Sequence, residues 1–301
     1  MDLTRRRMMQ RSATLAAGAF ALPMAAARAA GAGRRLWKVS LCEYSLHRMI
    51  MREKKLDPLD FGPYTKKTFG IEGVDYWNAP FHDKAKDARY LAEMKKRSDG
   101  AGVAGGVVLV DGEGNLGDPD DAKRKTAVER HHKWIDAAKA LGCYAIRVNA
   151  RSRGSYEEQL KLAADGLRRL GEYGKKNECG VIVENHGGLS SNGQWLAAVM
   201  KTVGMDEVGT LPDFGNFGQY DRYKGVRELM PYAQNVSAKS HDFDADGNET
   251  RTDYFKMMKI VVDSGFRGWV GIEYEGGRLS EVDGVKATRD LLARVHAELS
   301  A

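Results

Sequence analysis

Short apolar runs alternate with longer amphipathic stretches from residue 36 to the C-terminal end of this 301-residue chain. The runs at 37–42, 71–76, 104–110, 144–149, 181–185, 209–213, 235–240 and 269–274 predict strands. Between them, 84–99, 122–141, 155–177, 193–203, 224–232, 252–264 and 283–299 predict helices. Within 155–177, Leu160, Ala163, Leu167 and Leu170 recur at helical spacing, with Lys161, Asp165, Arg168 and Arg169 on the other faces. Gly142, Gly174 and Gly265 stand where helices are expected to end. The segment 48–68 carries Pro58 and Pro63 and reads as irregular. Strands alternating with helices favour a parallel sheet. Eight of them in about 270 residues predict an α/β fold of the (β/α)8 barrel type, one domain spanning 31–301. A doubly wound open sheet would want a glycine-rich turn after its first strand, and Cys42-Glu43-Tyr44-Ser45-Leu46-His47 is not one.

In such a barrel the chemistry sits at the C-terminal strand ends and the loops beyond them. The apolar runs of this chain end abruptly in polar residues. The first delivers Glu43 and His47, the third Asp111 and Glu113, and the fourth Arg147 and Asn149. Glu184, Asn185 and His186 follow the fifth, and Asp213 and Asn216 the sixth. The seventh supplies Ser237, Lys239 and His241, and the eighth Glu273, Glu275 and Arg278. Glu184, Asp213, His241 and Glu273 recur about one βα repeat apart, and hard or borderline donors placed this way suit one divalent cation at the barrel mouth. An acid that closes an apolar strand is costly to bury without a nearby cation. Lys239, an ammonium at a strand end, needs an oxygen-rich partner for the same reason. His131 and His132 lie on a predicted helix, where packing or surface roles are expected.

The first thirty residues read differently. Thr4-Arg5-Arg6-Arg7-Met8-Met9-Gln10 is a charged start, and residues 13–27 are uncharged, rich in Ala and Gly, and too few to span a bilayer. Small residues around Ala27-Arg28-Ala29-Ala30 offer a cleavage site, and the adjacent arginines resemble a twin-arginine export signal over 1–30. The expectation is a periplasmic or secreted protein, carried by the twin-arginine machinery and not stably inserted in the membrane afterwards. Removing that segment lowers the formal net charge from +6 to +2, so the basic precursor implies no affinity for nucleic acid. Cys42, Cys143 and Cys179 are odd in number and form no CxxC, so neither a disulfide framework nor a zinc ribbon is indicated.

Three runs carry a resemblance: Val183-Glu184-Asn185-His186-Gly187-Gly188, Leu211-Pro212-Asp213-Phe214-Gly215-Asn216-Phe217, and Gly271-Ile272-Glu273-Tyr274-Glu275-Gly276. Together they resemble the sugar phosphate isomerase/epimerase family of xylose-isomerase-like barrels, over roughly residues 36–299. The resemblance implies a metal held by Glu, Asp, His and Glu from strands five to eight, and Glu184, Asp213 and Glu273 match it. Relatives often carry His-x-His-x-Lys at the seventh strand, where this chain reads Asn235-Val236-Ser237-Ala238-Lys239, so Ser237 stands at the ligand position. His241 takes the vacated role if the strand continues that far, with water or His186 as competing fourth donors.

The expected function is a metal-dependent isomerase or epimerase acting on a small carbohydrate, through an enediolate. Glu184 and Glu273 are the paired acid/bases, and His47, Asn149, His186, Asn216, Lys239 and Glu275 bind substrate. Manganese is the favoured ion; magnesium, cobalt and zinc also suit the ligands. Two alternatives are a non-catalytic carbohydrate-binding barrel, motivated by Ser237, and a lyase- or hydrolase-type activity on keto-glycosides. A trinuclear zinc nuclease would need more histidines than the seven present. Trp77, Trp195, Tyr220 and Tyr223 are candidates for stacking on sugar faces, and an oligomer is possible.

Overall fold

The computed structural model describes residues 36–301. Eight parallel strands, β1 (Lys38–Cys42), β2 (Gly73–Trp77), β3 (Ala104–Leu109), β4 (Ala145–Asn149), β5 (Gly180–Glu184), β6 (Val208–Leu211), β7 (Val236–Ser240) and β8 (Trp269–Tyr274), follow one another around a sheet in which β8 pairs with β1. The remaining seam, between β6 and β7, is joined by backbone bonds. Gln234 N donates to Thr210 O at 3.0 Å, Ser237 N to Pro212 O at 2.9 Å, and Phe214 N to Ser237 O at 3.1 Å. Together they close the (β/α)8 barrel expected from the alternation of the sequence.

The strands lie within two residues of the expected runs, because most of their residues are buried and the runs are largely apolar. Eight helices surround them: α1 (Phe61–Phe69), α2 (Ala88–Gly100), α3 (Asp121–Leu141), α4 (Tyr156–Lys176), α5 (Gly193–Val203), α6 (Arg222–Leu229), α7 (Tyr254–Asp263) and α8 (Glu281–Ser300). Each from α2 onward begins on a side-chain cap: Asp87, Asp120, Ser155, Asn192, Asp221, Asp253 and Ser280. Each such cap satisfies amide donors that the helix leaves unpaired, worth about 1 kcal/mol.

Two expectations need correction. The segment 48–68 is irregular only in part: short 3-10 and π turns lead into α1, where Pro63 falls in the first turn and loses no intrahelical bond. Gly174 does not end its helix. It lies inside α4, where a Cβ would stand 2.5 Å from the Cys179 carbonyl, so close packing of helix on loop is what requires glycine. Gly142, by contrast, caps α3 at φ 76° as expected. Among the described residues, no helix is long and apolar enough to cross a membrane. The proposed signal at 1–30 lies outside the described residues.

Candidate active site

Residues two apart on a strand share a face, so the sequence parity of each strand decides what enters the bore. Cys42, Val107, Leu109, Ala145, Ile182 and Leu211 form a small apolar layer there, separate from the main core between sheet and helices. Above it, at the C-terminal strand ends, the carboxylates of Glu184, Asp213 and Glu273 converge, with one oxygen of each within 4.8 Å of the others. They expose only 1%, 0% and 4% of their surface, so the gathering is internal and not a solvated acidic patch.

The surroundings fix each acid differently. Glu184 ends β5; its Oε1 accepts from Asn216 Nδ2 at 2.8 Å. Its Oε2 lies 2.8 Å from Arg147 Nε but out of hydrogen-bond alignment, so this buried oxygen has an ionic partner and no aligned donor. Asp213 Oδ1 receives the backbone amides of Gly215 (2.7 Å) and Asn216 (2.8 Å). The Asn185 side chain clamps Asp213 in turn, accepting from its amide at 2.7 Å and donating to its carbonyl at 3.0 Å. Ser237 Oγ lies 2.7 Å from Asp213 Oδ2 and 2.8 Å from Glu273 Oε2. Lys239 Nζ is 3.2 Å from Glu273 Oε1, 3.6 Å from Asp213 Oδ2 and 2.7 Å from Glu275 Oε1.

Burial pushes the Glu184 carboxyl up to about 7 against the pull of Arg147, with Glu273 adding to the rise. Burial likewise lifts Asp213 to about 7, against Lys239, with Glu184 and Glu273 repelling. Glu273 is also penalised by burial, but Lys239 and Ser237 outweigh this and hold it below the ordinary carboxylate value. Two cations, Arg147 and Lys239, thus face five acids once Asp111 and Glu275 are included. The cluster retains negative charge that those cations do not balance. A divalent cation among three buried carboxylates would supply what is missing, so the donor set fits one.

The other expected substrate-binding residues take different places. Lys239 and Glu275 are in the cluster, as described. Asn216 and Asn149 hold other side chains: Asn149 Nδ2 donates to Asp111 Oδ1 at 2.8 Å, and Arg147 Nη1 reaches the same oxygen at 3.0 Å. His186 and Asn149, with Asp111 and Arg151, line a cavity of about 260 Å³ beside the cluster. His186 Nδ1 and Asn149 Oδ1 are buried without a hydrogen-bond partner. Burial, then Arg147 and Lys239, depress His186, so the ring stays neutral near pH 7. His47 stands further out, stacked on Tyr44 with 4.6 Å between centroids and its Nδ1 2.8 Å from the Tyr44 carbonyl.

His241 supplies no atom to the carboxylate cluster. Its place there required β7 to continue, and β7 ends at Ser240. The His241 amide then turns to Glu249 Oε1 at 3.1 Å. Trp195 is fully buried in α5, donating to Tyr156 O at 3.2 Å, and cannot stack on a ligand. Sequence reasoning left Arg147, Asp111 and Tyr44 without roles. Arg147 interrupts the apolar run of β4 at the parity of Ala145 and Asn149, a signal that could have placed it in the bore. Asp111 is lowered to about 2, because Arg147 and Asn149 together outweigh its partial burial. Tyr44 lies near enough to Glu275, Glu273 and Lys239 to feel their charges, and it packs edge-on to Trp77 at 5.0 Å.

Residues 65–295 match the model of the xylose isomerase-like TIM barrel family, and the chain belongs to that family. The C-glycoside deglycosidase alpha subunit of Arthrobacter globiformis is 32% identical over 77 residues, 24% of this chain and 22% of that protein. The match thus spans about a fifth of that relative's length. Among solved structures, a 3-keto-D-glucoside 4-epimerase from E. coli superimposes with a TM-score of 0.62 at 17% identity, covering 80% of this chain and 94% of the other. The IOLI protein with a bound zinc atom gives 0.69 at 13% identity, covering 87% and 98%. At such identities the likeness is one of fold.

Proposed function

We propose that the protein is a divalent-metal-dependent isomerase or epimerase of a keto-sugar or sugar-like ketone. The observation that carries this is the convergence of three buried carboxylates from β5, the end of β6 and β8 on one point at the barrel mouth. Glu184, Asp213 and Glu273 would hold the ion, which when bound polarises a ketone oxygen and a neighbouring hydroxyl. The names of two relatives, one a 3-keto-glucoside epimerase and one a C-glycoside deglycosidase, support a sugar ligand.

The carboxylates divide the proton work by their surroundings. Glu273, beside Lys239 and Ser237, is the acid held ionised, and it takes the proton from the carbon next to the carbonyl. The C–H electron pair becomes the carbon–carbon double bond of an enediolate, and the carbonyl oxygen takes the negative charge. Glu184, the second acid of the pair, returns a proton to the opposite face, giving an epimer; returned instead to the former carbonyl carbon, with the neighbouring hydroxyl proton passing to the other oxygen as its own carbon becomes the carbonyl, it gives an isomer. Lys239 contributes positive potential to the enediolate. The polar cavity beside the cluster places Asn149 Oδ1 and the neutral His186 Nδ1 where sugar hydroxyls can satisfy them. Its volume is near the lower end of small-ligand pockets, about 300 Å³, which suits one ring.

Incubating the purified protein with a ketose panel, Mn2+ and deuterated water tests the proposal. Carbon-bound deuterium should accumulate, and Glu184→Gln or Glu273→Gln should slow it severely; sugar binding without exchange would contradict the catalytic reading. We also infer export by the twin-arginine route, on the strength of the arginine run and the short apolar stretch that follows. Replacing Arg5, Arg6 and Arg7 by Lys should retain the protein in the bacterial cytoplasm, and unchanged periplasmic recovery would refute the inference.

A further inference from the structure

Beside the two cationic side chains Arg147 and Lys239, the candidate metal ligands that converge at the barrel mouth are oxygens. Among the described residues the cluster consists of the carboxylates of Glu184, Asp213 and Glu273, with no imidazole or thiol. The side chain between the last two is the Ser237 hydroxyl, 2.7 Å from Asp213 Oδ2 and 2.8 Å from Glu273 Oε2. β7 aims Ser237 and Lys239 into the bore and ends before His241, so the strand offers the cluster no nitrogen ligand from that residue.

A hydroxyl carries one hydrogen, yet Ser237 Oγ is within hydrogen-bond distance of two carboxylate oxygens. One contact can be a donated bond. The other sets a lone pair against an oxygen, a repulsion that the Lys239 ammonium, 3.6 Å from Asp213 Oδ2 and 3.2 Å from Glu273 Oε1, offsets without giving the hydroxyl a second bond. A hard cation relieves such a contact by taking the oxygens as ligands. Zinc prefers nitrogen and sulfur in tetrahedral array, whereas carboxylate, hydroxyl and water suit magnesium and manganese.

Resting on the reading that this centre holds a divalent ion, we propose that Ser237 is its fourth protein donor. The hydroxyl makes the centre an all-oxygen site that favours ions of the magnesium and manganese kind over zinc, compared with a site having nitrogen or sulfur at that position. Ser237 is thus the residue that sets metal preference, and with it the ion at which the ketone is polarised.

The test is metal affinity, independent of turnover. Dissociation constants for Mn2+ and chelator-buffered Zn2+ are measured calorimetrically on the full chain and on two variants. Ser237→Ala should weaken Mn2+ binding about tenfold. Ser237→Cys, nearly the same size but offering sulfur, should shift the preference towards zinc by at least about tenfold. With Co2+ it should also give the sulfur-to-metal charge-transfer absorption that wild type lacks. If both variants keep the wild-type affinities and Ser237→Cys shows no such band, Ser237 is not a ligand and this assignment falls, while the metal centre stands. If wild type binds neither ion, the metal reading itself falls, and this inference with it.

Discussion

Two buried carboxylate sites lie one above the other in the barrel bore, and they are built on opposite terms. The deeper one is Asp75 alone. Its Oδ2 accepts from Ser40 Oγ, while its Oδ1 takes the Val107 amide at 3.1 Å and Asn235 Nδ2 at 3.3 Å. The Val107 amide is available because the β2–β3 register slips there, a bulge that leaves a donor without a ladder partner. Gly106 and Gly271 make the room: a Cβ on either would stand 2.3 Å or 2.6 Å from an Asp75 carboxylate oxygen. Asp75 is therefore a satisfied structural acid, though burial still lifts it to about 6. At the mouth, Asn216 Nδ2 serves Glu184 Oε1 and two backbone amides serve Asp213 Oδ1, but Asp213 Oδ2 and Glu273 Oε2 share one serine hydroxyl, and Glu184 Oε2 lacks an aligned donor. Burial is common to both sites. What separates a ligand site from a structural one here is the balance between acceptors and the donors that meet them.

Conservative substitution at the mouth should have the largest effect. Glu184→Gln and Glu273→Gln should each lower deuterium exchange by about 10³-fold, within the range for a lost acid or base. The metal-free melting temperature should hold or rise in Glu184→Gln, whose charge burial and Glu273 disfavour, whereas Glu273→Gln gives up the Lys239 contact and should lower it by less than an Asp75 variant does. A melting temperature that falls as far as in an Asp75 variant would make these acids structural.

Glu43 is a third buried acid, with one oxygen served and one not. Its Oε2 accepts from the Trp77 amide at 2.9 Å, its Oε1 is buried without a partner, and burial raises the carboxyl to about 8 despite that amide. An acid whose folded value lies above its unfolded one keeps its proton in the folded state, so stability falls as pH rises from about 4.5 through 8. Urea unfolding at pH 5.5 and 8.5 should therefore show a loss at the higher pH that Glu43→Gln reduces, by up to about 4 kcal/mol. A variant that loses stability as steeply as wild type would contradict this.

Asp75→Ala should cost about 3 kcal/mol, because it strands the Val107 amide and two side-chain donors. Exchange activity per folded molecule should persist, and its loss at intact stability would give Asp75 a part in the chemistry. The smallest effect belongs to Asn216→Ala. Losing the 2.8 Å bond to Glu184 should slow exchange about tenfold and move the alkaline or acid limb of its pH profile. A change in apparent substrate affinity alone would make Asn216 a binding residue.

The barrel was legible because its strands are largely apolar and its helices begin on capping residues, both local properties of the sequence. Glu184, Asp213 and Glu273 were legible for the same reason, each closing or just following an apolar run. Less could be read where geometry depends on how far a strand continues. His241 sits four residues beyond Ser237, and nothing local signals that β7 stops at Ser240. Arg147 spans Glu184 and Asp111, 37 and 36 residues away, a relation that only the closed barrel creates. Trp195 was expected near a loop, but the Asn192 cap starts α5 just before it and turns the indole into the core.

The central claim is that Glu184, Asp213 and Glu273 hold one divalent ion. Titrating Mn2+ into the chelator-treated full chain, followed by electron paramagnetic resonance, tests it most directly. Wild type should bind one equivalent, and Asp213→Asn, its fold checked by circular dichroism, should bind none. Wild type that binds no Mn2+, or an Asp213→Asn protein that binds it equally well, would contradict the claim.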